Sequence, residues 1–259
     1  MAKWCIDRLT KVYSTRIEEV MRSGGELVKD YPPGIINIPT HFLGRYREFE
    51  VAMNSLLFPP GSVIAWGLGA STGKNMNDAI RQMLKNDIFK WVWVIGDDHV
   101  FSPDIILQLL RREKEVVVPF CCRRTFPYIP IIHESGGENN DYATVEYEWF
   151  KDKTGLVNLN DTGKLTGNAG MLVKREVFEA IPEPWYEVGQ IHSEYNSPDL
   201  WFAKKMVDAG FPLFVDMDNP IGHITHMSVW PFQDPDTGEW KAEMRYPNDV
   251  WGERGLIVD

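Results

Sequence analysis

Two adjacent carboxylates, Asp97 and Asp98, follow directly on the apolar run KWVWVI at residues 90–95, and His99 comes next. Neighbouring anions at the end of a buried strand repel each other and lose hydration, so a cation is the expected compensation. The alternative is a solvated turn ahead of Ser102. A carboxylate joined by an imidazole makes an oxygen–nitrogen donor set that suits Mn2+ or Mg2+. Asp98 is the expected metal carboxylate. His223 and His226 are the candidate imidazoles: they stand three apart beside Gly222, after an apolar strand that ends at Asp216. His223 is preferred. His99 is expected to point away from Asp98 if the strand continues, and His41, His133 and His192 carry no signal.

The elements that must position these residues alternate along the chain. GIINIP, SVIAWGLGA, KWVWVIG and EVVVPFCC read as buried strands. Between them REFEVAMNSLL, MNDAIRQMLKN and SPDIILQLLRR read as helices, the last with Ser102 as N-cap and Pro103 at its first position. This alternation predicts an α/β fold with a mostly parallel central sheet and helices on both faces. Ligands of such sheets bind beyond the carboxyl ends of the strands, where Asp97 and Asp98 stand. After Arg124 shorter strands are expected in TFPYIPIIHE, YATVEYEWF and GLVNLN, then the helices REVFEAI and SPDLWFAKKMVDAG and the segment PLFVDM. The chain divides into an amphipathic helical extension at 1–34, a main domain at 35–232 split near 124, and a turn-rich tail at 233–259 expected to wrap on the surface.

Composition narrows the classes. A net charge of −10 over 259 residues argues against a nucleic-acid-binding surface. The longest apolar runs fall far short of the roughly 18 residues of a membrane span, and no N-terminal signal pattern is visible, so a cytoplasmic protein is expected. Three cysteines, Cys5, Cys121 and Cys122, lack metal-ligand spacing and read as reduced thiols. Ten tryptophans suit a core and also clefts that stack sugars or bases.

GLGASTGKN, after a strand and before a helix, invites a P-loop reading for a nucleotide-binding or NTP-hydrolysing protein. The spacing fails: Leu68 stands where the first Gly is required, and Asn75 where a Ser or Thr hydroxyl should meet magnesium.

A set of segments in order along residues 35–232 resembles glycosyltransferases of the GT-A fold, of the family-2-like and mannosylglycerate-synthase-like kind. These are the strand closing on Ile38-Pro39-Thr40, GDDHVFSPD, TGNAGMLVKREVFEAI, SPDLWFAKKMVDAGFPLFVD and NPIGHITHMSVWP. The resemblance implies a metal-dependent hexosyltransferase taking a UDP- or GDP-linked sugar to an acceptor hydroxyl. It implies that Pro39, Thr40, Asn77 and Asp97 meet the nucleotide, with Asp97 on the ribose, and that Asn168, Ala169 and Gly170 lie under the donor sugar. Asp98 and one of His223 and His226 would hold the metal beside the diphosphate. Gly96 departs from the pattern, standing where many relatives carry an acid. An acid on the acceptor side is Asp199, in the first turn of its helix, with Glu194 as competitor.

Overall fold

The computed structural model describes residues 31–40, 45–68, 71–124, 128–135, 142–145, 147–191, 194–225, 228–233, 236–238, 240–245 and 256–258. The expected helix at the N-terminus lies outside these apart from residues 31–34.

The first part of the chain alternates as expected. Strand β1 (Ile35–Thr40) is followed by helix α1 (Arg47–Asn54), β2 (Val63–Leu68), α2 (Thr72–Lys85), β3 (Trp91–Val94), the short β4 (His99–Val100), α3 (Ile105–Arg111) and β5 (Val116–Pro119). Then come β6 (Ile132–Ser135), β7 (Tyr142–Thr144), β8 (Leu156–Asn158), β9 (Lys164–Thr166) and β10 (Met171–Lys174). Helix α4 (Arg175–Ala180), the hairpin β11 (Gly189–Ile191) and β12 (Glu194–Asn196), and α5 (Pro198–Asp208) precede β13 (Leu213–Asp216) and β14 (Gly222–His223). Strands β15 (Ser228–Gln233), β16 (Trp240–Arg245) and β17 (Leu256–Val258) are the last among the described residues.

Among the described residues the central sheet has seven strands in the order β2-β1-β3-β10-β5-β13-β8. Strands β2, β1, β3, β5 and β13 run one way; β10, between β3 and β5, and β8, at the edge, run the other. The sheet is thus α/β and mostly parallel. Strand β10 is a finding the alternating pattern did not give, because four residues ahead of a helix carry little periodicity. Its consequence is positional. Met171 pairs with Val94, so the turn before β10 sits beside the carboxyl end of β3.

WVWV explains why β3 is central. Trp91, Trp93 and Ile95 alternate onto one face with Ile36, Ile38, Phe49, Ile105 and Leu109, while Val92 and Val94 face Met76, Ile80, Met83 and Phe202. Period-two side chains buried on both faces are what a doubly covered sheet needs. The Trp93 indole N–H donates to the Gly170 carbonyl at 2.8 Å, tying β3 to the turn ahead of β10.

One expected boundary moves. Helix α3 begins at Ile105, not at Pro103, and Ser102 is not its N-cap. The Pro103 carbonyl accepts from the Leu57 N–H at 2.7 Å, so it is engaged outside the helix, and 102–105 close as a turn. The described residues of 233–259 lie in an antiparallel sheet β15-β16-β17, with Gln233 opposite Trp240 and Gly238 in a left-handed conformation.

Candidate functional site

The site is built where the chain leaves β3. The Ile95 N–H still donates to the Asn37 carbonyl of β1, after which 97–98 turn the chain back into β4. A Cβ on Gly96 would stand 2.6 Å from Asp98 Oδ1, so only glycine lets that carboxylate fold back over the turn. The departure noted at Gly96 therefore has a local steric reason.

Strand β14 pairs antiparallel with β4 and sets His223 opposite His99. Their rings stack at 4.3 Å between centroids and 16° between planes. A Cβ on Gly222 would meet Val100 Cγ2 at 2.7 Å, so any larger residue there would push the Val100 side chain aside. The Ile224 N–H donates to the Asp98 carbonyl at 2.7 Å, closing this second strand onto the turn.

Asp98 is the hub. Its Oδ1 lies 2.9 Å from His99 Nδ1, and its Oδ2 lies 3.2 Å from His223 Nε2 and 2.7 Å from Arg124 Nη1. Burial alone would raise this carboxyl, but hydrogen bonds from His223 and His99 outweigh it and hold Asp98 well below the usual carboxylate range. His99 thus points toward Asp98, contrary to expectation, because the strand does not continue through 97–98. Asp97 diverges from Asp98: its Oδ2 accepts from the Thr40 hydroxyl at the end of β1. The two acids occupy separate places, one with imidazoles and one at the neighbouring strand end.

The second group is the turn at 167–170. Gly170 has φ +72°, a left-handed conformation that favours glycine, and Ala169 is buried. The Asn168 N–H donates to Asp199 Oδ2 at 3.2 Å, and a Cβ on Gly167 would come within 2.8 Å of that oxygen. Asn168 Nδ2 lies 3.7 Å from Met76 Sδ, and its Oδ1 is buried with no partner among the described residues. Asp199 is therefore held against the turn. Ser197, at the N-cap position of α5, makes no side-chain capping bond. Two further groups feel the Asp199 charge. Burial, the larger effect, lowers His133 while Asp199 opposes it; burial and then Asp199 push Tyr186 well up.

The remaining candidates fall elsewhere. Asn77 is buried in α2, donating to the Tyr186 carbonyl at 2.7 Å and accepting from the Tyr186 N–H at 2.9 Å. Its amide thus clamps the segment after α4. Pro39 lies in β1 opposite Gly67 of β2. Glu194 lies in β12 opposite Ile191. His226 lies outside the described residues, as do His41 and His192. Lys74 sits in the first turn of α2, capped by Ser71, and its ammonium pairs with Asp78 at 2.6 Å. Lys74 is thus tied along its own helix.

One residue of the site escaped the sequence reading. Cys121, two residues beyond β5, is 5% exposed, and burial pushes its thiol up to about 12. With His99 and His223 it offers three donor atoms within 4.8 Å of one another. The signal available was its place just past a strand end on the same side of the sheet as Asp98.

No protein-family model matches the chain, and no curated protein matches it. Among solved structures it is similar to A197 from STIV, at 12% identity and a TM-score of 0.49, covering 80% of this chain and 92% of that one. It is also similar to GalNAc-T7, solved with UDP, GalNAc and Mn2+, at 12% identity and a TM-score of 0.48, covering 75% of this chain and 44% of that one. Likenesses this remote bear on no residue's role. Among the described residues no helix is long and apolar enough to cross a membrane.

Proposed function

We propose that the protein is a divalent-metal-dependent glycosyltransferase that moves a sugar from a UDP- or GDP-linked donor to an acceptor hydroxyl. The observation that carries this reading is the convergence of Asp98 and His223, 125 residues apart in sequence, at the carboxyl end of β3. The sequence resemblance to GT-A glycosyltransferases supports the same assignment.

The donor set fits a divalent ion. His223 Nδ1 lies 3.1 Å from the Cys122 carbonyl, which can only accept, so Nδ1 carries the proton and Nε2 is turned toward Asp98 Oδ2. A proton on Nε2 spans that 3.2 Å contact as the hydrogen bond to Asp98, and a divalent cation could take its place. Adjacent ligands of an octahedral ion with bonds of about 2.1 Å stand about 3 Å apart, close to that spacing. An Mn2+ or Mg2+ ion held by Asp98 and His223 would supply Lewis acidity to a departing nucleoside diphosphate.

The chain's own residues divide the remaining work. Asp97, oriented by Thr40 at the end of β1, accepts from the ribose hydroxyls, and Pro39 lies beside the base. Arg124, half exposed and paired with Asp98 Oδ2, is the cation available to the diphosphate oxygens. The turn of Asn168, Ala169 and Gly170 forms the floor under the sugar. Asp199, anchored on that turn, receives the acceptor proton as general base; Glu194 remains the competing acid. The P-loop alternative is disfavoured by its spacing, with Leu68 and Asn75 at two positions it needs filled by Gly and by Ser or Thr.

The reading is tested by incubating the protein with UDP- and GDP-sugars in Mn2+ and following donor hydrolysis. Wild type is expected to hydrolyse one donor slowly, His223→Ala to lose this with partial recovery at raised Mn2+, and Asp199→Asn to retain donor affinity while turnover falls roughly a hundredfold. Hydrolysis of none of these donors, or rates unchanged in His223→Ala, would reject it.

A further inference from the structure

His99, Cys121 and His223 form a donor cluster that the glycosyltransferase reading uses only at His223. Their nitrogen and sulfur atoms lie within 4.8 Å of one another. His99 and Cys121 are each only 5% exposed, so the cluster reaches inward from the surface-facing Asp98–Arg124 pair. His99 Nδ1 is occupied by Asp98 Oδ1 at 2.9 Å and the Gly96 carbonyl at 3.3 Å. Its Nε2 is buried with no partner among the described residues. A buried polar atom left unsatisfied is costly, so a ligated state that engages it is favoured. The Cys121 thiol donates to the Cys122 carbonyl at 3.5 Å.

We propose that His99, Cys121 and His223 constitute a second metal site, selective for a thiophilic borderline ion such as Zn2+ over Mn2+ or Mg2+. Two imidazoles and a thiolate are donors of the zinc type, whereas Mn2+ and Mg2+ favour oxygen. Zinc bonds of about 2.0–2.1 Å to nitrogen and 2.3 Å to sulfur set tetrahedral donors about 3.3–3.7 Å apart. Ligation requires one imidazole to turn out of the stack, because the in-plane lone pairs of rings only 16° apart do not meet at one point. On ligation Cys121 releases its thiol proton to solvent, and no oxidation state changes. Three protein ligands leave a fourth position open, as in sites that bind or exchange a small ligand. The site rests on the proposed function in one respect: it shares His223. Occupation of the inner site withdraws that imidazole from Asp98, so Zn2+ competes with Mn2+ and inhibits.

The test is a Co2+ titration of the full chain followed by absorption. The protein is expected to develop a thiolate-to-cobalt charge-transfer band with the strong visible bands of a four-coordinate ion. A Cys5→Ser/Cys122→Ser variant, in which Cys121 is the only thiol, keeps both. Cys121→Ser and Cys121→Ala lose the charge-transfer band, and their Zn2+ affinity, from competition with a chromophoric chelator, falls roughly tenfold or more. Asp98→Asn keeps the band while losing Mn2+-dependent nucleotide binding, which separates failure of this site from failure of the glycosyltransferase reading. Absence of a thiolate band at saturating Co2+, in wild type or in the Cys121-only variant, overturns the proposal.

Discussion

Asp98 shows how a single side chain can be both buried and ionised. Its oxygens face two imidazoles and a guanidinium, and the hydrogen bonds from His223 and His99 outweigh the burial that would raise its pKa. Because its folded-state pKa lies below the unfolded value of about 3.9, the stability it contributes is present above that pH and is lost as pH falls toward the folded value. The difference in melting temperature between wild type and Asp98→Asn is therefore expected to shrink as pH drops below about 4. Thermal melts of both proteins across that range check this, and a gap that does not close on acidification contradicts it. At this scale the sequence was partly legible. An apolar strand running into two acids, and a histidine beside Gly222, pointed to Asp98 and His223 because each violates what its surroundings favour. The places of His99 and Cys121 were misjudged or missed, since they depend on a reversal at 97–98 and on a strand end far away in sequence.

Among elements, the two segments that hold the site in register are the turn before β10 and the loop between β13 and β14. Gly167 leaves no room for a side chain: its Cβ would crowd Asp199 Oδ2 at 2.8 Å and Ile131 Cγ2 at 3.2 Å. Gly167→Ala is expected to push the Asp199 carboxylate off the Asn168 N–H, lowering turnover at least tenfold while donor affinity stays near wild type. Rate and affinity measured on this variant decide it, and an unchanged rate would show that Asp199 is not placed by the turn. The second loop is anchored by Arg112, which donates two bonds of 2.8 Å to Asp216, a residue with no exposed surface. Asn219 adds a third bond to Asp216, also at 2.8 Å. Arg112→Ala leaves a buried carboxylate without its counter-charge and is expected to cost about 3 kcal/mol by denaturant unfolding. A loss under 1 kcal/mol would show that Asp216 is satisfied without it. The long periodic strands and helices of residues 35–119 were readable from pattern, whereas β10 and the β15–β17 sheet were not. These are short strands whose partners, not their local sequence, make them strands.

Across the molecule, five parallel strands deliver Asp97, Asp98 and Cys121 to one end of the sheet, and the antiparallel β10 brings the 167–170 turn to that same end. With a net charge of −10, the protein has little long-range attraction for a nucleoside diphosphate, so affinity must come from a local cation. That makes metal dependence the central claim. Calorimetric titration of UDP and GDP into the protein, with Mn2+ and then with EDTA, tests it most directly. The account predicts that one of these nucleotides binds at least tenfold more tightly with Mn2+, and that Asp98→Asn abolishes the difference without unfolding the protein. Equal affinity in Mn2+ and EDTA for wild type would contradict it.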